Sequence, residues 1–169
     1  MEIKRKGTPQ SVLSLFDLLG DDELALSKAF AYILGHEKQA LAEFLNFLQV
    51  GERLTNSKFK QVTIKTENHR KEGRIDIEIQ LDLDFHIIIE SKINKNRVRE
   101  QRYKYIPSFN VDSNQKILCF ITQERDSNKQ ITNDVEIRNT SWLEITNLYD
   151  KRKYINNYLI NDFLRFVSK

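Results

Sequence analysis

The chain has few cysteines and no long apolar runs. Its 169 residues include one cysteine, Cys119, which excludes an intrachain disulfide and a cysteine-rich zinc site. Cys119 lies in the apolar run 117–121, which predicts a buried thiol in a reducing compartment. No apolar segment approaches the length of a membrane span, and the basic stretch 4–6 is not followed by a signal-peptide core. We therefore expect a cytoplasmic protein that has no contact with a membrane.

The chain also lacks a strong excess of charge of either sign. Its 27 Lys and Arg residues oppose 24 Asp and Glu residues, and the formal net charge is +3. A balance this small does not by itself indicate a nucleic-acid partner, so the local distribution of charge has to carry that argument. No internal repeat, low-complexity tract or linker divides the chain. We expect residues 1–169 to form a single domain with a sizeable core.

Residues 85–92 carry the strongest pattern in the sequence. Three consecutive isoleucines predict a strand that is covered on both faces. The strand then ends in Glu90, Ser91 and Lys92, with Glu90 and Lys92 on one face and Ser91 on the other. A buried carboxylate and a buried ammonium cost free energy unless they are paired or bind a metal ion. The end of this strand is therefore a candidate site.

The preceding segment, residues 74–81, supplies a second carboxylate. Isoleucine and leucine alternate there with polar residues, which predicts a half-buried strand with Asp76 and Glu78 on its polar side. If the two strands pair antiparallel about a three-residue loop centred on Leu83, Asp76 lies opposite Glu90 on one face. A shift of one residue would disrupt the apolar face and the polar face together.

Asp76 followed by Glu90-x-Lys92 on an adjacent strand resembles the PD-(D/E)XK nuclease superfamily, which includes many restriction and repair endonucleases. Two positions depart from its usual motif, because Ile75 replaces the proline and Ser91 replaces an asparagine. Further positions match one branch of the superfamily: Glu23 on an early helix, Glu67 ahead of the motif, and Gln101 and Tyr105 on a following helix.

The resemblance covers about residues 22–122 and implies a three-layer α/β/α core like that of restriction endonucleases. The order of predicted elements is α-β-β-β-α-β, and the helix before the fourth strand allows a parallel crossover, so the sheet should be mixed. Extra N-terminal helices and a C-terminal helix would complete the fold. The implied function is a metal-dependent nuclease that hydrolyses phosphodiester bonds, with DNA favoured over RNA.

Phosphodiester hydrolysis indicates roles for these residues. Carboxylates of Asp76 and Glu90 and the backbone carbonyl of Ser91 are oxygen donors suited to Mg²⁺ or Mn²⁺. Lys92 would orient the attacking water or stabilise the developing oxyanion. The alternative is a structural ion-pair cluster at the end of a strand. A matching alternative for the whole chain is an inactive module that keeps the fold and binds nucleic acid or a protein partner.

Two further residues complete the resemblance to the active site. Gln101 points toward the active site in the family pattern, although its spacing alone is that of any polar surface residue. Glu23 would complete the metal site or its water network. Its alternative role is that of an acid in the first turn of a helix, where the helix dipole favours negative charge.

The predicted helix 95–108 is rich in basic residues. Lys95, Arg99 and Arg102 share one helical face, which is suited to contacting a phosphate backbone beside the metal. The alternative is an ordinary solvated face. We expect nucleic acid, with DNA preferred, as the partner. Sequence specificity is expected to come from a partner protein, a homodimer or the polar segment 123–139, which is predicted to be irregular.

The remaining elements follow from periodicity and capping signals. They are a helix over residues 8–20, a second helix from Asp21, a third over 37–49, strands over 61–67 and 116–122, a capping box at Ser141–Glu144, and a closing helix with the apolar stripe Ile155, Tyr158, Leu159, Phe163 and Phe166. Trp142 is expected in the core. The three histidines show no ligand spacing and are predicted at the surface or at helix ends: His36, His69 and His86.

Overall fold

The computed structural model describes residues 2–5, 8–11, 14–20, 22–50, 56–92, 103–123, 129–149 and 153–168. Its strands are β1 Glu2–Arg5, β2 Thr8–Ser11, β3 Thr63–Arg70, β4 Gly73–Leu81, β5 Phe85–Lys92, β6 Gln115–Thr122, β7 Lys129–Thr132 and β8 Val135–Ser141. Its helices are α1 Glu23–His36, α2 Lys38–Phe47, α3 Asn56–Phe59, α4 Trp142–Leu148 and α5 Tyr158–Val167, with 3₁₀ helices at Leu15–Leu18 and Ile106–Ser108. Within these ranges, no helix has both the length and the apolar character needed to cross a membrane.

Strands β3 to β8 form a mixed sheet in the order β3-β4-β5-β6-β8-β7. The pairs β3/β4, β4/β5 and β7/β8 are antiparallel, whereas β5/β6 and β6/β8 are parallel. The parallel pairing of β5 with β6 confirms the predicted crossover. Strands β1 and β2 pair with each other as a separate antiparallel hairpin.

One face of the sheet packs against α1, α2, α4 and α5 in the larger core. Helix α1 begins after Asp22, whose side chain accepts a hydrogen bond from the backbone N–H of Ala25 at 2.8 Å. Phe30 of this helix is fully buried in the same core as Ile79 and Ile87 of the sheet. Each large apolar side chain buried in this way contributes about 1.5–3 kcal/mol to stability.

The other face of the sheet carries a smaller core that includes Tyr105, Phe109 and the partly buried Ile106. These residues come from the segment around the 3₁₀ helix Ile106–Ser108, and they pack with Ile88 and Leu118 of the sheet. Helices therefore lie on both faces of the sheet, and the predicted three-layer α/β fold with a mixed sheet is confirmed.

The predicted β4–β5 hairpin is confirmed in register. Ile77 pairs with Ile89, and Leu81 pairs with Phe85 across the turn. The half-buried character predicted for β4 is wrong, because Asp76 and Glu78 on its polar side are buried as well as its apolar residues. Ile75 also departs from the pattern, since it lies in the smaller core while Ile77 lies in the larger one. Residues two apart share a face in a regular strand, so β4 rotates between them.

Two predicted segments are corrected by the structure. The helix over 8–20 is wrong, because β2 takes its first residues and, of the described residues 14–20, only Leu15–Leu18 are helical. Buried Asp162 accepts a hydrogen bond from the backbone N–H of Leu15 at 2.8 Å, a long-range contact that no local pattern predicts. The irregular segment 123–139 instead contains β7 and most of β8, because alternating apolar residues of β8 pack into the smaller core.

The predicted helix 95–108 is only partly testable, since residues 93–102 lie outside the described part of the chain. Residues 103–105 form a turn and Ile106–Ser108 a 3₁₀ helix rather than an α-helix. Pro107 has no backbone N–H to donate in an α-helix. The capping box at Ser141 and Glu144 is confirmed at the start of α4.

The closing helix is confirmed as α5, with part of its stripe corrected. Phe163 and Phe166 are buried, and Trp142 is in the core as predicted. Ile155 and Tyr158 are exposed because they lie before and at the start of the helix.

Candidate active site

Asp76 and Glu90 lie where the backbone hydrogen bonding between β4 and β5 ends. The paired residues run from Leu81–Phe85 to Ile77–Ile89. Beyond Ile77, the backbone N–H of Asp76 donates to Oε1 of Glu90 at 3.4 Å, and the backbone N–H of Ser91 donates to Oδ2 of Asp76 at 3.0 Å. The carboxylates therefore take the place of backbone carbonyls as acceptors. This arrangement holds the two acids beside each other at the strand ends.

Lys92 lies beside Asp76 and Glu90. We call Asp76 and Glu90 the acidic pair, and the three residues together the acidic group. Its Nζ lies 3.0 Å from Oε2 of Glu90 and 4.0 Å from Oδ2 of Asp76. All three side chains are buried, and that of Glu90 is only 1% exposed. One ammonium therefore faces two carboxylates in a region with little access to water.

The charges of the two acids are poorly compensated. Burial, followed by the neighbouring carboxylate of Asp76, raises the pKa of Glu90 to about 7 in spite of the Lys92 ammonium. Burial also raises the pKa of Asp76, although Lys92 and the Ser91 N–H oppose the shift. Within the described residues, Oδ1 of Asp76 makes no hydrogen bond, and its nearest cation is Nη2 of Arg74 at 3.9 Å. A cation at this place would relieve the repulsion.

A protein-family model for the PD-(D/E)XK nuclease superfamily matches residues 13–165. This match includes every element of the mixed sheet and the three residues of the acidic group. The chain belongs to the PD-(D/E)XK nuclease superfamily. No curated protein matches the chain. Members of this superfamily are generally nucleases, and they typically use divalent metal ions.

Tyr105 lies beside the acidic group of this PD-(D/E)XK chain. Its hydroxyl donates to the backbone carbonyl of Arg74 at 2.9 Å. Its pKa is raised above the ordinary range by burial and by the negative charges of Glu90 and Asp76. In the sequence, only the family resemblance points to Tyr105, whereas in the structure its hydroxyl holds the strand that carries Asp76.

Glu23 approaches this group from α1. It is the first residue of the helix and is partly buried. Its charge contributes to raising the pKa of Asp76, so the two carboxylates are close enough to interact. However, among the described residues, no three His, Cys, Asp or Glu side chains form a group able to hold a metal ion. The role predicted for Glu23 in the metal site or its water network stays a prediction.

The structure leaves part of the predicted site unplaced. Four of its residues lie outside the described part of the chain: Lys95, Arg99, Gln101 and Arg102.

Ser91 is described and contacts the site through its backbone. Its N–H donates to Asp76, while its buried hydroxyl makes no hydrogen bond within the described residues.

A second buried polar cluster lies next to this group on the same hairpin. Glu78 is 2% exposed and accepts hydrogen bonds from Arg70 and His86, each at 2.8 Å, and from Asn68. The backbone N–H of Asn110 donates to Nδ1 of His86 at 2.9 Å, so Nε2 carries the proton that is donated to Glu78.

This cluster corrects the prediction for His86, which is 1% exposed rather than at the surface. His36 does lie at a helix end as predicted, in the last turn of α1, and His69 is exposed. Sequence reasoning missed the burial of His86 because its partners come from β4 and from a distant loop. One signal in the sequence pointed to its burial: Glu78 and His86 each lie among apolar residues, on two strands predicted to pair.

Proposed function

We propose that the chain is a Mg²⁺- or Mn²⁺-dependent nuclease that hydrolyses phosphodiester bonds in DNA. The observation that carries this proposal is the buried pair Asp76 and Glu90, whose charges are left partly uncompensated beside Lys92. Structural ion pairs bring opposite charges together, whereas this pair brings like charges together. The superfamily supplies the reaction class, since its members are generally nucleases.

The donor set fits a hard divalent cation. Carboxylate and carbonyl oxygens are the ligands that Mg²⁺ and Mn²⁺ prefer. Oδ1 of Asp76, which makes no hydrogen bond within the described residues, is one candidate ligand atom. A carboxylate oxygen of Glu90 and the backbone carbonyl of Ser91 are the others. Such an ion, when bound, polarises the phosphate and lowers the pKa of a water molecule that attacks it.

The chain's own residues would orient and stabilise the reacting groups. Lys92 places a positive charge at the edge of the acid pair, where it can orient the attacking water and stabilise negative charge on the phosphate oxygens. Tyr105 fixes the backbone of Arg74, two residues before Asp76. Burial of Asp76, Glu90 and Lys92 lowers the local dielectric, which strengthens each of these electrostatic effects.

The proposed nucleic-acid contacts rest on the sequence. The spacing of Lys95, Arg99 and Arg102 in the sequence is that of one helical face, and such a face would suit contacts with a phosphate backbone. Gln101 is assigned to the active site by the family pattern. A homodimer or a partner protein would supply sequence specificity.

The function can be tested by incubating the protein with supercoiled, linear and single-stranded DNA and with RNA, each with Mg²⁺, with Mn²⁺ and with EDTA. We expect cleavage of DNA in Mg²⁺ or Mn²⁺ and none in EDTA. Absence of cleavage of all four substrates by folded protein would contradict the proposal. Cleavage in EDTA at the same rate would contradict the role of the metal.

A further inference from the structure

Arg74 lies at the open side of the acidic pair. Its Nη2 is 3.9 Å from Oδ1 of Asp76, and its Nη1 is 3.6 Å from Oε1 of Glu67. Both distances are longer than a hydrogen bond, and the guanidinium makes no hydrogen bond within the described residues. The Arg74 side chain is 44% exposed, compared with 7% for Asp76. Arg74 is therefore a partly exposed cation that lies beside a buried carboxylate with its donors uncommitted.

Glu67, which lies near the guanidinium of Arg74, has an unusual backbone conformation. In the β3–β4 register, Thr66 pairs with Ile77 and Asn68 with Ile75, so Glu67 lies opposite Asp76. In a regular strand these two acids would share a face. Glu67 instead has a φ of 51°, in the left-handed region that costs free energy for a residue with a side chain.

The carboxylate of Glu67 is consequently positioned between two cations. It lies 2.8 Å from Nζ of Lys28 on α1 and 3.6 Å from Nη1 of Arg74. Meanwhile the hydroxyl of Tyr105 donates to the backbone carbonyl of Arg74. The hydrogen bond from Tyr105 thus holds the backbone of Arg74, whereas its guanidinium has charged neighbours but no hydrogen bond within the described residues.

Other arginines in the described residues show what a structural arginine looks like in this protein. Arg70 donates to buried Glu78 at 2.8 Å. Arg138 donates to the backbone carbonyl of Phe47 at 3.1 Å. Each of these two guanidinium groups satisfies a particular acceptor, whereas that of Arg74 satisfies none.

We propose that Arg74 binds a non-bridging oxygen of the phosphodiester group that is cleaved, an inference that rests on the proposed function. A guanidinium offers paired N–H donors that match phosphate oxygens, and its charge would oppose the negative charge that develops there. The donors of Arg74 are not hydrogen-bonded to Glu67 or Asp76, so the guanidinium can bind a phosphate oxygen without breaking a hydrogen bond to either acid.

The test compares Arg74→Gln and Arg74→Lys with the matched control Lys71→Gln. Lys71 is an exposed cation in the β3–β4 turn and lies outside the acidic group. The kcat and KM are measured at saturating Mn²⁺ on the DNA that the parent cleaves fastest. Affinity for an unmodified DNA oligonucleotide is measured separately in EDTA by fluorescence anisotropy, and thermal midpoints check folding.

We expect Arg74→Gln to lower kcat about a hundredfold, because it removes a group that stabilises charge in the transition state, and Lys71→Gln to leave kcat unchanged. In EDTA, Arg74→Gln should weaken oligonucleotide binding more than Lys71→Gln does. Arg74→Lys should restore that binding but recover little kcat, because lysine lacks the planar fork.

A kcat of Arg74→Gln equal to that of the parent would overturn the inference, even if its Mn²⁺ affinity changed. That result would show that Arg74 only balances the charge of Asp76. Equal losses of binding in Arg74→Gln and Lys71→Gln would also overturn it. If the parent binds but does not cleave, the proposed function fails while the binding comparison still decides the role of Arg74. If the parent neither binds nor cleaves, both proposals fail.

Discussion

Asp76 and Glu78 lie two residues apart on β4, and both are buried, yet their surroundings differ. Glu78 receives hydrogen bonds from His86, Arg70 and Asn68. Burial alone would raise its pKa, but these bonds outweigh burial and lower the pKa to about 2. Asp76 faces Glu90 instead, and the pKa of each is raised.

The comparison shows how a buried structural acid differs from a candidate functional one in the same hairpin. Glu78 has as many donors as its oxygens need, so its charge is stable and it fastens β4 to β3 and β5. The acidic pair shares a single ammonium, that of Lys92, and Oδ1 of Asp76 accepts no hydrogen bond within the described residues. Uncompensated charge at a buried site is a free-energy cost that ligand binding can recover.

The largest expected effect is a loss of activity when Asp76 or Glu90 is replaced. Asp76→Asn and Glu90→Gln should each lower the rate of metal-dependent DNA cleavage by about a thousandfold, because each removes a charged ligand. Lys92→Ala should have a similar effect. The thermal midpoint of Asp76→Asn without metal should not fall, since the repulsion is relieved. Cleavage at the parent rate by folded Asp76→Asn protein would contradict the site assignment.

Glu78 should show the opposite behaviour. Glu78→Ala leaves buried His86 and the partly exposed Asn68 and Arg70 without their acceptor, so it should lower the free energy of unfolding by about 3 kcal/mol, measured by urea denaturation. The milder variant Glu78→Gln should keep kcat within about threefold of the parent when assayed well below its thermal midpoint. A thousandfold loss of kcat in folded Glu78→Gln protein would remove the distinction between the two acids.

Glu90 and Glu78 should also make opposite contributions to the pH dependence of stability. The pKa of Glu90 is about 7 in the folded protein, against 4.5 ordinarily. The folded state therefore holds this proton more tightly, and the resulting stability is present below pH 4.5 and lost as the pH rises to 7. Glu78 acts oppositely, because its lowered pKa gives stability above pH 4.5 that is lost as the pH falls toward 2.

Urea denaturation in EDTA at pH 5 and pH 8 can measure the contribution of Glu90. We expect the parent to lose up to about 3 kcal/mol over this range because of Glu90, and Glu90→Gln to lack that loss. An identical pH dependence for the parent and Glu90→Gln would show that the pKa of Glu90 is not raised in the folded protein.

The smallest expected effect concerns Glu23, whose charge raises the pKa of Asp76 from outside the acidic pair. Glu23→Gln keeps the shape of the side chain and removes its charge, so Mn²⁺ affinity should weaken by about threefold and cleavage should slow. Titration calorimetry measures the affinity. The same dissociation constant and turnover as the parent would make Glu23 an acid of the helix first turn and nothing more.

The hairpin that carries the acids could be predicted from the sequence for a physical reason. Alternation over β4, the apolar run of β5 and a three-residue turn allow one register that buries both apolar sets. That register also brings Asp76 toward Glu90. The rotation of β4 between Ile75 and Ile77 was not predictable, since it depends on contacts with Tyr105 and with β3.

Other parts of the fold depend on partners that are distant in sequence. His86 was predicted at the surface because a polar residue in a strand resembles an exposed one until its partners are known. Strand β8 was missed because its polar residues obscure Val135 and Ile137, whose burial depends on the neighbouring β6. Residues 8–11 contain a proline near a threonine, a pattern that also begins helices, but they pair with β1 instead.

Calorimetric titration of Mn²⁺ at pH 7 tests the central claim most directly. The claim is that the uncompensated acids Asp76 and Glu90 form the cation site, whereas Glu78 does not. We predict that the parent and Glu78→Gln bind Mn²⁺ and that Asp76→Asn does not. Because the pKa of Glu90 is about 7, binding should also release protons, so the measured heat should differ between buffers of different ionisation enthalpy. Absence of binding by the parent, or equal binding by Asp76→Asn, would contradict the account.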